Sequence, residues 1–592
     1  MKLNFKVLLA LAMAFALSAQ AQWQTQSILI KPGWTAIFLH VDASYQTIDQ
    51  LVGADLSNPI TQIWLWQPAP TMQFASSPQT PVVANSQWAN WARTGLGMTS
   101  TLNLLTPNGA YLVYSAAATN YTWNVQGKPV APQYNWTTAG LNFIGFPTVA
   151  SAPPKFDSFL SLAPTLQSLA QIFQYQGGPL DTTNPAQLFA YHTTPVTRGQ
   201  AFWLRSGTVY NNYFGPFTVA LQTGAGVTFG DSVSEYSFHL KNTTVSNVTV
   251  TLTLASSETP PTGQTPIVGV PPMLVRGSLN TSNLTYGLST LPLGSSQTWS
   301  LAPQGQPGSD VVVVLGINRY LMTSPPGSLF AGILRFTDSF NFTEVDIPVS
   351  AIQSSLAGLW VGNASVSQVQ NYLKNYLVDS NGAPVMSPNG NYIVTSINTN
   401  LGSVARPFPL RLIVHNDGTN AVLLQRVFYG LSPYTNLMLA TSQSLLDQNH
   451  LDSARRISAA HLPWTTNNTP LPFNGQLIQG GVLTTTADLP YDDQASNPFL
   501  HTYHPDHDNL DATFQTQLAQ GYESYRITRQ ITLNVSPPGN DFGSLTSVGQ
   551  SLIGYYGEKV TVGGLGGASK DFYVSGTFSL NRISSISTLN QQ

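Results

Sequence analysis

Val245-Ser-Asn-Val-Thr-Val-Thr-Leu-Thr-Leu254 is the stretch that decides the fold class. From Val248 onward, apolar residues recur at every second position with threonines between them. Because successive side chains of a strand point to opposite faces of a sheet, this alternation predicts a β-strand with one buried face. Tyr236-Ser-Phe-His-Leu240 has the same period, and Asn242-Thr-Thr supplies a turn between the two.

Further strand patterns follow at short intervals, with turns rich in proline, glycine and serine. Short strands at this spacing are typical of an immunoglobulin- or fibronectin-like β-sandwich, which we predict over residues 216–352. The patterns are Thr298-Trp-Ser-Leu301, Val311-Val-Val-Val-Leu315, Phe330-Ala-Gly-Ile-Leu-Arg-Phe336 and Val345-Asp-Ile-Pro-Val349.

Upstream of the sandwich, residues 22–127 and 128–215 are interpreted as two copies of one β-rich module. Each copy begins with a buried-strand pattern after a glycine turn, followed by a short amphipathic stretch and a second strand pattern. Three of the four separations agree within two residues, which indicates an internal repeat, and the fourth indicates that the second copy is shorter in its middle. The matched pairs are Gly33 with Gly140, Ile48 with Phe156, Ile60 with Leu169 and Gly109 with Gly199, separated by 107, 108, 109 and 90 residues.

Residues 353–592 are predicted to form a C-terminal β domain, either a second sandwich or a barrel. Pro407–His415 and Ala421–Tyr429 flank Asn416-Asp-Gly-Thr, which predicts a hairpin. Ser367–Lys374 is expected to form one or two helical turns. The fold class is therefore mainly β throughout, and only a barrel would offer a lumen for a ligand.

The composition excludes several classes of protein. The chain has no cysteine, which rules out disulfide-stapled modules, thiolate metal sites and thiol nucleophiles. Charged residues make up 8%, against about 25% in a typical globular chain. The net charge is −3 with no basic patch, so nucleic acid is not an expected partner. An exterior rich in amides and hydroxyls suits a cell-surface or matrix protein, with a compositional bias of the lineage as the alternative.

Residues 1–21 have the features of a secretory signal peptide. Lys2 and Lys6 precede an apolar run, and Ala19-Gln-Ala21 matches the small-x-small cleavage pattern, so we predict cleavage before Gln22. A membrane anchor is the alternative, but the apolar run is shorter than the roughly 20 residues that span a bilayer. No later segment is long and apolar enough to be transmembrane. The predicted location is extracellular or at the cell surface.

The densest group of titratable residues lies in His501-Thr-Tyr-His-Pro-Asp-His-Asp-Asn-Leu-Asp511. Imidazole nitrogens with carboxylate oxygens suit zinc, whereas the oxygen ligands alone suit calcium. Neither the EF-hand nor the His-Glu-x-x-His pattern is present, and such a loop can also satisfy its own backbone by side-chain hydrogen bonds. A divalent cation is thus a candidate cofactor, and no catalytic residue is assigned. The candidate metal ligands are His501, His504, Asp506, His507, Asp508 and Asp511.

Tryptophans of the two modules offer a second candidate site. Trp64, Trp66 and Trp203 would form a sugar-stacking platform if they lay exposed and coplanar. The alternative is that they fill the core or the interface between modules, because aromatic side chains supply much of the buried area of β domains.

Two resemblances accompany these patterns. Gly33-Trp34, Trp64-Leu-Trp66, Gly109-Ala-Tyr111 and Gly199-Gln-Ala-Phe-Trp203 resemble a β-rich module found in many secreted bacterial proteins. The whole chain resembles an uncharacterised family of secreted bacterial multidomain β proteins. That resemblance implies no activity, and its C-terminal domain is also loosely similar to a small calycin-type barrel. The shared blocks are Gly358-Leu-Trp-Val-Gly362, Pro407–His415, His501–Asp511 and Gly576-Thr-Phe-Ser-Leu-Asn-Arg582.

Three functional hypotheses follow. The first is a secreted surface or matrix protein that acts by binding or assembly, with extracellular proteins, itself or polysaccharide as partners. The second is a metal-dependent hydrolase centred on residues 501–511, and the third is a carbohydrate-binding module that uses the tryptophans. The sequence favours binding over catalysis, because no second catalytic group can be assigned beside the histidines.

Overall fold

The computed structural model describes most of the chain from Gln22 to Gln591 and is mainly β, with 51% of residues in strands and 6% in helices. The predicted fold class is confirmed. Within these described residues no helix is long and apolar enough to cross a membrane. The gaps are residues 68–74, 82–86, 134–139, 182, 206–212, 223, 225, 432–437, 448–452, 460–468, 492, 494–496, 498–509, 512, 514, 523, 548 and 565–568.

The chain divides into two compact units. Unit 1 comprises residues up to Ser354 together with the segment Asp541–Val548. Unit 2 comprises Ser355–Asn540 and Gly549–Gln592. The predicted signal peptide lies outside the described residues.

The first module of unit 1 contains two antiparallel sheets, ordered β1-β7-β3 and β2-β6-β4-β5. A π-helical turn, Asp49–Gly53, separates β3 from β4 and buries Val52. The strands are β1 (Gln24–Ile30), β2 (Gly33–Phe38), β3 (Val41–Asp42), β4 (Ile60–Trp66), β5 (Trp88–Ala92), β6 (Ala110–Ser115) and β7 (Tyr121–Pro129).

The second module forms one sheet of order β8-β11-β9-β10, which repeats the order β2-β6-β4-β5 strand for strand. All of its neighbouring pairs are antiparallel, as in the first module. Two short helices follow β8, where the first module has its helical turn after β2 and β3. The elements are β8 (Leu141–Gly145), α1 (Phe156–Ser161), α2 (Pro164–Leu169), β9 (Gln171–Gln174), β10 (Ala186–Gln187) and β11 (Ala201–Arg205).

The next part of the chain is the predicted β-sandwich, in which two sheets enclose one core. One sheet has the order β12-β14-β20-β17-β18 and the other β13-β22-β21-β15-β19, with β16 beside β21. Val250, Leu252 and Leu254 of β15 are buried, so the alternation in the sequence marks the core face. The strands are β12 (Phe217–Leu221), β13 (Val227–Thr228), β14 (Glu235–Asn242), β15 (Val248–Ser256), β16 (Ile267–Gly269), β17 (Met273–Asn280), β18 (Thr285–Leu291), β19 (Ser296–Leu301), β20 (Asp310–Ile317), β21 (Leu329–Asp338) and β22 (Glu344–Ile352), with a 3₁₀ turn at Arg319–Leu321.

Unit 2 is built on an eight-stranded sheet of order β29-β25-β24-β23-β33-β32-β31-β30. Asn474, just after β29, exchanges backbone hydrogen bonds of 2.8 and 2.9 Å with Thr484 of β30, which brings the two ends of the sheet together. The sheet is therefore a nearly closed barrel, the second of the two predicted forms. Its strands are β23 (Gly358–Tyr376), β24 (Val394–Asn416), β25 (Ala421–Leu423), β29 (Leu471–Pro472), β30 (Val482–Leu489), β31 (Arg526–Val535), β32 (Ser551–Gly563) and β33 (Ser569–Ser584).

The barrel interior is filled by apolar side chains, including Trp360, Leu412 and Leu533. A small sheet of order β28-β26-β27-β34 adds a second apolar cluster around Ile413 and Val427. Its strands are β26 (Arg426–Leu431), β27 (Met438–Ala440), β28 (Ser453–Ser458) and β34 (Leu589–Asn590), and the short helices are α3 (Gln443–Asp447) in unit 2 and α4 (Phe542–Thr546) in the second segment of unit 1.

Two local expectations change in unit 2. The hairpin around Asp417 and Gly418 is present, but β25 ends at Leu423 and the chain then enters the small sheet as β26. Ser367–Lys374 is not helical, because it continues β23 and pairs with both β24 and β33.

Candidate binding groove

The predicted metal ligands fall largely outside the described residues. His501, His504, Asp506, His507 and Asp508 all lie in the gap 498–509, so the metal hypothesis stays a prediction. Within the described part of the chain, no group of three or more His, Cys, Asp and Glu residues is placed to hold a metal ion.

Asp511 is the one predicted ligand that the structure describes. Its carboxylate accepts a hydrogen bond of 2.6 Å from the hydroxyl of Thr513 and one of 3.1 Å from its backbone N–H. The Thr513 hydroxyl is the main reason that the pKa of Asp511 is lowered. The side chain thus closes a local turn, as expected of an Asp-rich loop that satisfies its own backbone.

The tryptophans predicted to stack on sugar are core residues instead. Trp64, Trp66 and Trp203 are only 4%, 8% and 0% exposed. Trp66 lies edge-on to Trp203 at 5.4 Å between ring centroids, and Trp203 stacks on Phe143 at 4.6 Å. These rings belong to one cluster that packs the sheets of the two modules together, so they offer no exposed platform.

An open groove lies on the outer face of the unit 2 barrel. Its volume is about 440 Å³, and most of its walls are outward-facing side chains of β23, β33 and β32. Ser536, just after β31, and the buried Phe578 and Gly554 complete the lining. Strand register places Thr577 between Ser365 and Tyr555, and Ser579 between Asn363 and Ile553. The lining residues are Asn363, Ser365, Ser536, Ile553, Gly554, Tyr555, Thr577, Phe578 and Ser579.

Glycines allow the strands beneath the groove to approach one another closely. A Cβ atom at Gly362 would overlap the carbonyl oxygen of Ser579, and one at Gly576 would overlap that of Ser365. A Cβ at Gly554 would likewise overlap the carbonyl oxygen of Asn534. Glycine positions of this kind let barrel strands bend and coil.

The chemistry of the groove is uncharged. Its lining contains four hydroxyl groups from Ser and Thr, one amide and one phenol, and it contains no Asp, Glu, His, Lys or Arg. Tyr555 and Ile553 are the largest outward-facing side chains, 66% and 59% exposed. The groove can therefore hydrogen-bond a neutral ligand and contact its apolar faces, but it has no charged group for acid–base chemistry.

Among the described residues, one buried ion pair lies inside the barrel. Among the acidic residues near aromatic strands, Glu523 and Glu558 are acid/base candidates, and Glu523 lies outside the described residues. Glu558 is buried, is ion-paired with Arg529 and accepts a hydrogen bond of 2.6 Å from the Tyr556 hydroxyl. Burial raises the pKa of Tyr556. Because both Arg529 and Tyr556 engage the Glu558 carboxylate, we assign it a structural role.

A second buried polar cluster joins the modules to the sandwich within unit 1. Asp346 of the sandwich accepts hydrogen bonds of 2.8 Å from both Arg335 and Gln24, and Arg198 of the second module lies 3.7 Å away. Arg198 also donates to the carbonyl oxygen of Glu344 at 2.6 Å. The position of this polar cluster, between the modules and the sandwich, indicates a structural role.

The groove residues carry little signal in the sequence. Serine, threonine and asparagine at outward-facing strand positions are expected on any solvated sheet, so their type alone marks no site. Two outward-facing apolar side chains, Ile553 and Tyr555, sit in the pattern Ile-Gly-Tyr-Tyr-Gly of β32 and are the only hint. Leu552 and Tyr556 are buried, so the alternation of a strand places Ile553 and Tyr555 on the other, solvent-facing side of β32.

No protein-family model and no curated protein matches the chain. A solved structure from Bacteroides ovatus, described as a structural genomics protein of unknown function, is similar over 62% of this chain and 96% of its own. The two are 8% identical with a TM-score of 0.14. A likeness of this size supports no inference about function.

Proposed function

We propose that the chain is a secreted extracellular binding protein and that the outer groove of unit 2 holds its ligand. The groove carries this proposal, because it combines about 440 Å³ of open volume with exposed apolar and hydrogen-bonding side chains. Ligand sites commonly pair apolar contact area with a few polar groups that fix orientation.

Binding is favoured over catalysis by the charge distribution. The groove lining carries no acid, base or cation, and Glu558 of the barrel interior is ion-paired with Arg529. A hydrolase would require a nucleophile or a general acid and base beside the ligand. The metal-dependent alternative rests on the cluster at residues 501–511 and is tested by elemental analysis of the purified protein and its His504→Ala/Asp508→Ala variant.

The N-terminal modules complete the proposal as a duplicated stalk or spacer. Support comes from the shared strand order of the two module sheets and from the matched glycines of the sequence. Secretion is supported by the leader pattern of residues 1–21, and the mature chain is expected to begin at Gln22. Mass spectrometry of the protein from culture medium checks that terminus.

A groove-filling variant tests the binding proposal. Thr577 is an exposed lining residue, whereas Thr486 is an exposed threonine of β30 outside the groove. We expect labelled mature protein to bind the washed cells and matrix of the secreting culture saturably. Thr577→Trp should weaken that binding at least about tenfold, a change of about 1.4 kcal/mol. Thr486→Trp should leave it unchanged. Equal binding by wild type and Thr577→Trp would reject the groove.

A further inference from the structure

We propose that the ligand of the groove is an uncharged polysaccharide that lies along β32 and β33 and stacks on Tyr555 and Tyr573. This inference rests on the proposed function and narrows it to one class of polymer. It starts from a feature beyond the groove itself, a second exposed tyrosine on the same face of the same two strands.

The two tyrosines lie on one face of the sheet at a defined separation. Tyr555 is paired with Thr577, and Tyr573 is paired with Lys559, so the two rings are four residues apart along the strands. Four residues of an antiparallel strand span about 13 Å. Gly557 lies opposite Ser575 midway between them, which leaves the surface between the rings low. A chain of sugar rings has room to cross from one tyrosine to the other.

The exposure of the rings is suited to stacking. Tyr555 is 66% exposed and Tyr573 40% exposed. The Lys559 ammonium lies over the ring of Tyr573, 5.8 Å from its centroid, so a sugar would stack on the opposite side of that ring. Lys559 and Lys374 share the carboxylate of Asp571, at 3.5 and 3.7 Å. Aromatic faces attract the C–H faces of a pyranose as they attract other apolar groups, while their hydroxyl edge stays hydrated.

The polar residues of the groove match the other half of a sugar. The hydroxyls of Ser365, Thr577 and Ser579 and the amide of Asn363 form a patch beside Tyr555. Hydroxyls and amides both donate and accept, as sugar hydroxyls do. The groove lining contains no cation that could pair with an anionic polymer, and the two lysines near Tyr573 are both engaged with Asp571.

An extended peptide fits the groove less well. Peptides that bind sheets gain main-chain hydrogen bonds at a free strand edge. The groove lies on the face of β23, β33 and β32, and β33 is paired on both of its edges. A peptide there would gain no main-chain hydrogen bonds from the paired strands, and such bonds are the main source of affinity in that mode of binding.

Chemical treatment of the natural matrix tests the class of ligand. Periodate cleaves vicinal diols of sugars, so we expect it to abolish binding of the full mature chain to matrix, while proteinase treatment should leave binding intact. Binding that survives periodate but is lost after proteinase treatment would overturn the inference in favour of a protein ligand.

Tyrosine variants test the stacking surface. In affinity electrophoresis through gels that contain amylose, mannan, xyloglucan or the anionic polygalacturonate, the protein should be retarded by at least one of the neutral polymers. Tyr555→Ala should weaken that retardation at least about tenfold and Tyr555→Phe should retain it. The matched control is Tyr522→Ala, since Tyr522 is 55% exposed in unit 2 and outside the groove.

The possible failures are distinguishable. Retardation by polygalacturonate alone, by none of the neutral polymers, or equally by wild type and Tyr555→Ala would overturn the polysaccharide inference. If Thr577→Trp still weakened matrix binding at least about tenfold in those cases, the binding function of the groove would stand. If Thr577→Trp bound matrix normally, both would fall.

Discussion

At the scale of single residues, Arg529 and Arg526 of β31 make the same kind of ion pair in opposite surroundings. Arg529 and Glu558 are 6% and 2% exposed in their side chains, whereas Arg526 and Asp488 are 56% and 42% exposed. Loss of one partner from a buried pair leaves an uncompensated charge away from water, which costs about 3–5 kcal/mol. We therefore expect Glu558→Gln to lower the free energy of unfolding of unit 2 by about that amount, measured by urea titration.

The exposed pair provides the control, because water and salt already screen it. The Asp488 carboxylate accepts hydrogen bonds of 2.8 and 2.6 Å from Arg526, and Asp488→Asn, which removes its charge and one acceptor, should leave the urea midpoint nearly unchanged. The double variant Arg529→Met/Glu558→Gln should recover most of the lost stability, since both charges are gone. Equal effects of Glu558→Gln and Asp488→Asn would show that burial of the pair does not matter.

His40 predicts the pH dependence of unit 1. Its ring is buried and its Nε2 atom has no hydrogen-bond partner among the described residues. Burial, and then the nearby Arg198, hold the pKa of His40 well below 6.5. As the pH falls through about 6.5, His40 becomes protonated in the unfolded chain but stays neutral in the folded chain. The free energy of unfolding therefore decreases.

We expect the thermal midpoint of unit 1 to fall between about pH 7 and pH 5 in the wild type and to fall less in His40→Gln. Burial raises the pKa of Glu344, so that its contribution is present at low pH and is lost as the pH rises, the opposite direction. Comparison of the two proteins at each pH isolates His40. The exposed His192 supplies the control, His192→Gln, which should follow the wild type. Parallel curves for wild type and His40→Gln would contradict the prediction.

At the scale of elements, β30 has the regular alternation of a strand with one buried face but is not among the predicted strands, whereas other alternating stretches are. Val250, Leu252 and Leu254 form the buried face of such a predicted stretch in β15. Ser367–Lys374 shows the limit, because its local pattern permits a helix and only pairing with β24 and β33 makes it a strand. Those partners lie up to about 200 residues away in the sequence, and no local rule contains them.

Two glycines of the barrel look alike in the sequence but differ in how closely a neighbouring strand approaches them. Gly576 and Gly557 both lie in barrel strands, but a Cβ at Gly576 would overlap the carbonyl oxygen of Ser365, whereas at Gly557 the nearest atom is 4.0 Å away. Relief of the overlap requires β33 to move from β23, so Gly576→Ala should destabilise unit 2 by about 1–3 kcal/mol. Gly557→Ala should be neutral or slightly stabilising. Urea unfolding followed by fluorescence measures both, and equal stability of the two variants would contradict the proposed close approach.

At the scale of the whole molecule, the candidate groove could not be predicted from the sequence. Its side chains come from β23 and from β32 and β33, about 190 residues further along the chain, and only the strand register brings Ser365 beside Thr577. Conversely, the conspicuous cluster at residues 501–511 and the tryptophans drew attention through residue type alone. The tryptophans cannot form an exposed platform because they are buried between two sheets, and this burial depends on how the two modules pack.

The division into two units leads to a prediction about unfolding. Asp541–Val548 follows β31 of unit 2 in the sequence, yet it belongs to unit 1. Phe542 of α4 is 1% exposed and packs with Leu274 and Val314 on the outer face of the sandwich sheet. Truncation of a buried phenylalanine costs about 3–5 kcal/mol. Phe542→Ala should therefore lower the thermal transition of unit 1, although its position is within the C-terminal part of the chain.

Hydrogen exchange assigns the transitions, since peptides from β14 and β20 report on unit 1 and peptides from β31 and β32 report on unit 2. We expect Phe542→Ala to accelerate exchange in the first pair and to leave the second pair protected as in the wild type. Phe189→Ala is the control, because Phe189 is 80% exposed and its truncation removes little packing. The opposite result, with loss of protection in β31 and β32 but not in β14 and β20, would assign Asp541–Val548 to unit 2. The stability of the sandwich would then not depend on this segment.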